Sequence, residues 1–304
     1  MQYLKRKKVF FHQKVLRISK KNTTFANYMS WFQSDIAASL FERFILVRGN
    51  GCRCLAQLQG NILSRRAIIQ VGFDVDNAAT QESITAMMQE IAQRARTYNC
   101  VYAEMRCMRD YSPYRNALEA MGWKYEPHYD VIIDTHAKIP LSKMRQIRSA
   151  ERQGVHWRLA EKESDVSQWY QCLRHLYHTK VRRPLPNLSF FIRAWHIGLP
   201  LLVVENGEKH IVGGVLLVID EDKAYEWYIC GQVMSTYAAI EWCKGHGIRW
   251  FDTMGAGQPG IPYGVRDFKL QMGGKLYEWG RFRYVCHPCL YRLGSLVIKF
   301  LQQV

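Results

Sequence analysis

The sequence predicts an α/β (α+β) fold built from two similar halves, each a mixed sheet flanked by helices. The chain has 304 residues, enough for two domains of about 150 residues each. Strand-like and helix-like patterns follow the same order in both parts of the chain. Two segments, at 121–126 and 272–278, share a Met-Gly turn followed by an aromatic stretch that ends in Glu. Together these features indicate an internal duplication.

The first half is expected at residues 1–140, where short apolar runs surround one amphipathic helix. Gly49-Asn50-Gly51 between two such runs is typical of a hairpin turn. Apolar residues three and four positions apart predict the amphipathic helix, and Gly122 is a typical helix stop. In order, the predicted elements are a helix at 27–43, strands at 45–47, 54–58 and 67–73, a helix at 81–97, a strand at 101–105, a helix at 114–121 and a strand at 123–133.

A helical connector is expected at 141–198. Ser142 is a candidate N-cap and Gly154 a candidate stop for its first helix. Inside this helix, Arg145, Arg148 and Arg152 have the spacing that places side chains on one face. Two more helices are predicted at 163–180 and 188–195, separated by a proline-containing break.

The second half, expected at 199–304, repeats the order of the first. Gly245 and Gly247 are typical stops for its first helix. The predicted elements are strands at 201–205, 211–219 and 223–230, a helix at 237–244, a strand at 248–252, a helix at 265–272 and a strand at 275–285.

The C-terminal segment 290–304 has the pattern of an amphipathic helix. A helix docked on the protein is favoured over one that lies on a membrane surface. The apolar stripe consists of Leu290, Leu293, Val297, Phe300, Leu301 and Val304.

The charge of the chain is strongly positive and one-sided. The net charge is +16, and no acidic residue occurs before Asp35, whereas eight lysines and arginines lie between Lys5 and Lys21. This distribution favours attraction to phosphate, on RNA or on an anionic membrane, over a merely solvated tail. The N-terminus has no long apolar core of the signal-peptide type. The nine scattered cysteines are expected to be free thiols in a reducing cytoplasm. The expected location of the protein is the cytoplasm, including the inner face of the membrane.

Two short motifs do not carry the chemistry they suggest. Residues 255–260 match G-x-G-x-x-G, but Pro259 and Pro262 break the helix that a dinucleotide site requires. We interpret this stretch as a glycine-rich active-site loop. Cys286 and Cys289 form a lone C-x-x-C pair, which supplies half of a zinc site. No metal and no bound cofactor are therefore expected.

The sequence lacks the motif that would predict coenzyme A as the carrier of the donor group. Ordinary acetyltransferases hold its pyrophosphate with an Arg/Gln-x-x-Gly-x-Gly/Ala loop before a helix, where backbone amides meet the phosphates. Residues 231–236 take that position here and read Gly-Gln-Val-Met-Ser-Thr.

The most informative segment is 249–282. It contains Phe-Asp-Thr-Met-Gly-Ala-Gly at 251–257, Tyr-Gly-Val-Arg-Asp-Phe-Lys at 263–269, then Gly273-Gly274 and an aromatic strand. This order resembles the C-terminal signature of the Fem peptidyltransferase family. The basic helix and glycine at 142–155 also resemble the segment that leads into the second half of that family.

The resemblance implies two tandem acetyltransferase-like (GNAT-like) halves and a cytoplasmic transferase. The donor it implies is aminoacyl-tRNA, and the acceptor is the amine of a peptidoglycan precursor, soluble or lipid-linked. Members of the family commonly lack the coenzyme A loop, as this chain does. The long coiled-coil insertion of some members is absent here.

The resemblance implies a role for Lys269, which matches the family's Phe-Lys pair, and the chemistry and sequence position of the other residues suggest their roles. Lys269 would stabilise the negative charge on the carbonyl oxygen, and Phe268 would stack on the terminal nucleotide of the tRNA. Arg266 would contact phosphate, and Asp252 and Asp267 would orient the amine. The remaining candidates bind substrate: Tyr263, Gly264, Gly255 and Gly257 in the loop, and Arg145, Arg148 and Arg152 along the tRNA or a diphosphate.

Two other functions stay open. One is acyl transfer from acyl-coenzyme A, or from an acyl carrier, to a small amine or lipid precursor. The other is a catalytically inactive fold that binds RNA or a membrane, including a peripheral membrane contact.

Overall fold

The structure, a computed structural model, describes residues 30–61 and 64–303. These residues form two compact units. One consists of residues 129–277, and the other of residues 30–128 together with 278–303. The basic segment between Lys5 and Lys21 lies outside the described residues, as do positions 27–29 of the helix predicted at 27–43.

Helices and strands alternate along most of the chain. The helices are α1 (Asp35–Ser39), α2 (Gln81–Thr97), α3 (Arg115–Ala120), α4 (Leu141–Arg152), α5 (Glu163–Leu176), α6 (Leu188–His196), α7 (Gln232–Gly245), α8 (Gly264–Gln271) and α9 (Pro288–Gln303). The strands are β1 (Phe44–Gly49), β2 (Cys52–Gln59), β3 (Arg66–Ile69), β4 (Asp74–Val75), β5 (Tyr102–Arg106), β6 (Lys124–Glu126), β7 (Tyr129–Asp134), β8 (His156–Leu159), β9 (Leu201–Glu205), β10 (Ile211–Asp220), β11 (Lys223–Cys230), β12 (Trp250–Gly255), β13 (Lys275–Glu278) and β14 (Arg281–Val285). Short 3-10 helices lie at Trp31–Gln33 and Ser112–Tyr114, and a π-helical turn at Tyr177–Val181.

The first sheet has the order β1-β2-β3-β5-β14-β6, with β4 paired to β2. Strands β3 and β5 are parallel, and the other pairs are antiparallel. Helix α2 packs on β1, β2 and β5 through an apolar face that includes Met87, Met88 and Ile91. A capping box between Thr80 and Ser83 fixes the start of this helix.

The second sheet has the order β13-β7-β12-β11-β10-β9-β8. Strands β11 and β12 are parallel. Helix α7 packs on β9 and β10, with Ala238 and Trp242 in a cluster that also holds Leu217 and Phe251. Helix α5 packs on β10 from the opposite face, where Trp169 lies against Gly214, and α6 packs on α5.

Both sheets share one strand order, and this confirms the predicted pair of GNAT-like halves. Strands β1-β2-β3-β5-β14-β6 correspond to β9-β10-β11-β12-β7-β13. In each sheet a parallel pair stands at the same place, with a long helix, α2 or α7, between its strands in sequence.

The halves exchange their last strands. Sequence patterns predicted one strand at 123–133 and one at 275–285, but each of these segments splits in two. Strand β6 stays in the first sheet and β7 joins the second, whereas β13 lies in the second sheet and β14 in the first. Gly280 has φ +73°, and a Cβ atom there would lie 2.2 Å from the Tyr125 ring, so the break before β14 requires glycine.

The exchange moves the unit boundaries away from the segments 1–140, 141–198 and 199–304 expected from the sequence. The polypeptide passes from one unit to the other between His128 and Tyr129, and again between Tyr277 and Glu278. Among the described residues, the unit of the second sheet is therefore a continuous segment, and the helices expected as a connector, α4 to α6, lie within it.

Several other elements differ from the sequence prediction. The helix expected at 237–244 begins five positions earlier, directly after β11. Helix α4 has Pro140 at its N-cap and no side-chain cap, so Ser142 is not the cap. The helix expected at 163–180 ends at Leu176 and continues as the π-helical turn. Strand β8 was not predicted. Of the helix expected at 27–43, only the 3-10 turn and α1 are formed in the described part.

The C-terminal helix α9 leaves apolar side chains in solvent. Leu290 and Leu293 of the predicted stripe are 41% and 60% exposed, so the expected docking on the protein does not hold for them. Leu296, outside that stripe, is 65% exposed. The side chains of Val297, Phe300, Leu301 and Val304 are outside the described part. Among the described residues, no helix combines the length and apolarity needed to cross a bilayer.

The strand exchange predicts which fragments fold. A fragment of residues 129–277 contains all strands of the second sheet, and we expect it to unfold cooperatively on heating. A fragment of residues 141–304 lacks β7, so β12 loses a partner and β13 has no neighbour in the sheet. We expect this second fragment to be aggregated or molten. Circular dichroism melts of both fragments test this, and cooperative unfolding of 141–304 alone would contradict it.

Candidate functional site

The second sheet opens into a fork between its two parallel strands. Strands β11 and β12 pair only from Lys223↔Trp250 to Tyr225↔Asp252, although both continue beyond these residues. A bulge shifts the register of β11 against β10, where Leu217 faces Glu226 and Leu216 faces Tyr228. Ligands of open α/β sheets bind beyond the carboxyl ends of the strands, so this fork is the candidate site.

Charged side chains are buried at the fork. Glu226 follows the last paired residue of β11 and is 8% exposed, and Asp252 is the last paired residue of β12 and is fully buried. Lys269 of α8 is 6% exposed. Buried charges are rare unless they are paired, so a cluster of this kind points to a functional site.

The Lys269 ammonium group binds the end of β12. Its Nζ donates hydrogen bonds to the carbonyl oxygens of Thr253, Met254 at 3.1 Å and Gly255 at 3.1 Å. An ammonium group has three donors, and three backbone acceptors surround it here. Lys269 therefore fixes the backbone at the start of the glycine-rich loop.

The carboxyl group of Glu226 holds its proton unusually tightly. Burial raises its pKa from 4.5 to about 7, the charge of Asp252 acts in the same direction, and the Lys269 ammonium opposes both. Glu226 faces Leu217 across the β10–β11 pair, so it lies on the α7 side of the sheet. A carboxyl group with this pKa can accept and return a proton at neutral pH.

Asp252 is held by different partners. Its Oδ2 lies 3.3 Å from the Lys223 Nζ, and its Oδ1 accepts a hydrogen bond of 2.8 Å from the backbone N–H of Met254. Burial raises the pKa of Asp252, while Lys223 and the Met254 N–H lower it. Met254 has φ +59°, a strained conformation for a non-glycine residue. Asp252 therefore stabilises the bend from which the three carbonyl groups reach Lys269.

Arg266 closes the loop that follows β12. Its guanidinium donates to the carbonyl oxygens of Gln258 at 3.0 Å and Ile261 at 2.7 Å, and it lies 5.6 Å from the Tyr129 ring centroid. Gly257 has φ +81°, and a Cβ atom there would lie 3.0 Å from the Tyr263 ring. The loop does not open a dinucleotide-type helix, because α8 begins only at Gly264.

The other predicted residues lie apart from this hydrogen-bonded cluster or serve the core. Phe268 is half-buried against the core of the second sheet, and the Lys143 Nζ lies 5.1 Å from its ring centroid. Asp267 is exposed in the first turn of α8. Helix α4 carries its three predicted arginines, Arg145, Arg148 and Arg152, as exposed residues.

Comparison of the two halves shows which residue of the first half is equivalent to Lys269. Helices α3 and α8 end in the same way, with Met and Gly following and with the glycines at φ +90° and +97°. The backbone N–H groups after each helix then bond alike: those of Met121 and Trp123 donate to the Leu118 carbonyl, and those of Met272 and Gly274 donate to the Lys269 carbonyl. Lys269 therefore occupies the position of Leu118, which is fully buried and apolar. The fold accepts leucine at this position and does not itself require a cation.

The corresponding place in the first sheet is filled. Parallel pairing of β3 and β5 ends at Ile69↔Met105. The chain that continues from β3 is held by buried Tyr111, whose hydroxyl donates to the Phe73 carbonyl at 2.7 Å. A Cβ atom on Gly72 would lie 2.1 Å from the Tyr111 hydroxyl oxygen. The fork of the second sheet is thus the better candidate for substrate.

Sequence reasoning missed Glu226, Lys223 and Lys143. Glu226 is a single acid within the apolar and aromatic strand β11, and that contrast is the signal that could have identified it. Its closeness to Lys269 depends on the packing of α8, which no motif records.

Solved structures share this architecture. FemX has a TM-score of 0.62 at 14% identity, with 93% of this chain and 98% of FemX covered. L-PGS from Bacillus licheniformis has a TM-score of 0.60 at 11% identity, covering 84% and 88%. A tandem GNAT protein from the clavulanic acid biosynthesis pathway has a TM-score of 0.53 at 12% identity, covering 84% and 89%.

No protein-family model and no curated protein matches the sequence. At these identities the solved structures establish the fold. The chain therefore has the tandem GNAT-like fold that FemX and the clavulanic acid pathway protein also have, as its Fem-like segments predicted.

Proposed function

We propose that the chain is a transferase that moves an acyl or aminoacyl group onto an amine, with the reaction at the fork between β11 and β12. The observation that supports this best is the buried Glu226, whose pKa is raised to about 7 beside the buried cation of Lys269. A group that exchanges protons near neutral pH is what attack by an amine requires.

The reaction joins the amine nitrogen to the carbonyl carbon of an ester or thioester. The carbon–nitrogen bond forms as the carbon–oxygen or carbon–sulfur bond of the donor breaks. Glu226, as carboxylate, takes the proton that the attacking nitrogen gives up. It then returns this proton to the leaving oxygen or sulfur, so the carboxylate is restored at the end of the cycle.

Lys269 acts in this scheme as a positioning residue. The three carbonyl groups at the end of β12 occupy its donors, so it does not offer a free N–H to a substrate oxygen in this arrangement. Its charge lowers the pKa of Glu226 below what burial alone would give. It also supplies a fixed positive charge near the carbonyl oxygen that becomes negative.

For the donor and acceptor, we propose aminoacyl-tRNA and a peptidoglycan precursor. The Fem-like segments at 142–155 and 249–282 include Lys269, Asp252 and the loop that Arg266 closes, and the fold likeness to FemX agrees with them. The net charge of +16 suits a polyanionic donor. Arg145, Arg148 and Arg152 stay candidates for contact with the donor's phosphates, because all three are exposed on α4.

One observation favours acyl-coenzyme A as the second candidate donor. Helix α7 starts at Gln232, directly after β11, with Gly231 at φ +83° and no side-chain cap. Unsatisfied backbone N–H groups at such a helix start can bind a pyrophosphate. A Cβ atom on Gly213 would lie 2.9 Å from the Gly231 Cα, so β10 approaches this turn closely.

The decisive experiment measures transfer of radiolabel to amines from two donor pools, charged tRNAs and acyl-coenzyme A. The acceptors are nucleotide-linked and lipid-linked peptidoglycan precursors and a panel of small amines. Label from tRNA in a peptidoglycan precursor supports the first proposal, and label from acyl-coenzyme A supports the second. Binding of RNA or vesicles by folded protein without transfer to any acceptor would favour the inactive binding protein instead.

We predict that Lys269→Leu abolishes most transfer without unfolding the chain. Loss of the fixed charge should lower kcat/KM by about 100-fold or more. Leucine fits the equivalent position in the first half, and removal of a buried charge offsets the lost hydrogen bonds. We therefore expect a melting temperature within about 4 °C of wild type, the shift that about 1 kcal/mol produces in a chain of this size.

Lys275→Leu is the matched control for this variant, because Lys275 is an exposed lysine at the start of β13. It should retain wild-type kcat/KM. Full transfer by Lys269→Leu would remove Lys269 from the site. An equal loss of kcat/KM in Lys269→Leu and Lys275→Leu would indicate a general effect of removing one positive charge.

We also predict that Glu226 sets the pH dependence of transfer. The value of kcat/KM should rise with pH around a midpoint near 7, as the carboxylate forms. Glu226→Gln should lower kcat/KM by about 100-fold or more and remove this ionisation. A midpoint near 7 that persists in the glutamine variant would assign the ionisation to another group.

Stability gives an independent measure of the same ionisation. Because the pKa of Glu226 is raised from 4.5 to about 7 on folding, the folded state holds an extra proton between these values. The stabilisation that Glu226 contributes through this proton is complete below about pH 4.5, and it declines as pH rises through about 7. Chemical denaturation across pH 4 to 9 should show this decline in wild type relative to Glu226→Gln.

A further inference from the structure

The C-terminal helix α9 presents an apolar surface that the described part of the protein leaves exposed. Leu290, Leu293 and Leu296 lie three residues apart and are 41%, 60% and 65% exposed. Residues at this spacing share one side of a helix. Scattered exposed leucines are common, but three on the same side of one helix form an apolar patch, and such patches mark interaction sites.

A different side of the same helix attaches it to the first sheet. The Tyr291 hydroxyl accepts a hydrogen bond of 2.8 Å from Arg283, and the Tyr291 ring lies 5.8 Å from the ring of Tyr102. Tyr291 and Leu293 are two residues apart, which is about 200° around a helix. The helix is therefore anchored through Tyr291 while Leu293 points away from that contact.

The surrounding sequence is cationic. After Glu278 the chain has no acidic residue, and it contains Arg281, Arg283, Arg292 and Lys299. Arg281 and Arg283 are partly neutralised by Glu104 and Glu126, whereas Arg292 lies on α9 between two of the exposed leucines and is itself exposed. The segment thus combines an apolar stripe with positive charge.

Charge decides which partner suits this helix. A second copy of the chain would bring another net charge of +16 and be repelled. RNA would match the charge but would leave the leucines in water. An anionic bilayer satisfies both features, because its surface attracts lysine and arginine and its acyl region takes up leucine side chains.

We propose that α9 is a membrane-surface helix that docks the chain on anionic lipid through Leu290, Leu293 and Leu296. The helix lies in the plane of the bilayer surface, with the leucines among the acyl chains and Arg292 at the headgroups. This goes beyond the proposed transfer reaction and does not depend on it. It would bring the chain to a bilayer surface.

The test is sedimentation of the full chain with vesicles. Vesicles of phosphatidylglycerol and phosphatidylcholine should bind the protein at least about 10-fold more strongly than vesicles of phosphatidylcholine alone, and binding should weaken as salt rises. The double variant Leu293→Glu with Leu296→Glu should lose at least about 10-fold of this binding. Both side chains are exposed, so the variant should melt as wild type does.

Leu141→Glu is the matched control, because Leu141 is 75% exposed at the start of α4. It should bind anionic vesicles as wild type does. Three results would each overturn the proposal: no binding of wild type to anionic vesicles, equal binding by the double variant, or equal loss in the Leu141→Glu control. A wild-type dimer in analytical ultracentrifugation that the double variant dissociates would assign the stripe to self-association instead.

Discussion

The arrangement of the candidate site depends on one buried cation. Removing an ammonium group from water is costly unless hydrogen bonds and opposite charge compensate it. For Lys269 the compensation comes from three carbonyl groups at the end of β12 and from the nearby Glu226. The bend at Met254 brings these carbonyls together, and Asp252 holds that bend through the Met254 N–H. The conformation of Met254 and the buried charges around it therefore stabilise one another. The residues that carry these charges are Lys269, Glu226 and Asp252.

The strand exchange sets the frame in which this cluster sits. Strand β7 pairs with β12 on the side away from β11. A Cβ atom added to Gly274 would lie 2.2 Å from the Val131 side chain and 3.3 Å from the Ile133 side chain, both on β7. Glycine at 274 therefore lets the end of α8 approach β7 closely. Helix α8 carries Lys269, so the strand that comes from the first half of the sequence helps to fix the position of the cation in the second sheet.

Local patterns predicted much of this fold, and non-local pairing explains what they missed. The amphipathic helix at Gln81–Thr97 and the apolar strands at Leu201–Glu205 and Lys223–Cys230 have the predicted bounds, because periodicity and turn residues encode them. The segments 123–133 and 275–285 read as continuous strands, because alternation does not reveal which sheet a strand joins. Likewise, the Fem-like motif directed attention to the segment around Lys269. The three carbonyls at the end of β12 and Glu226 of β11 meet Lys269 of helix α8 only through packing, which spacing did not predict.

The two halves place different residues at equivalent positions of a similar fold, and the proposed chemistry lies in the second half. In the first half, Leu118 and Tyr111 fill their positions with apolar packing and satisfied hydrogen bonds. In the second half, a buried lysine replaces the leucine, and a buried acid stands where the strands part. Local choices that oppose folding are expected where function requires them. The first half fills the equivalent positions with a leucine and a tyrosine on a similar backbone. Folding alone therefore does not explain the buried charges of the second half.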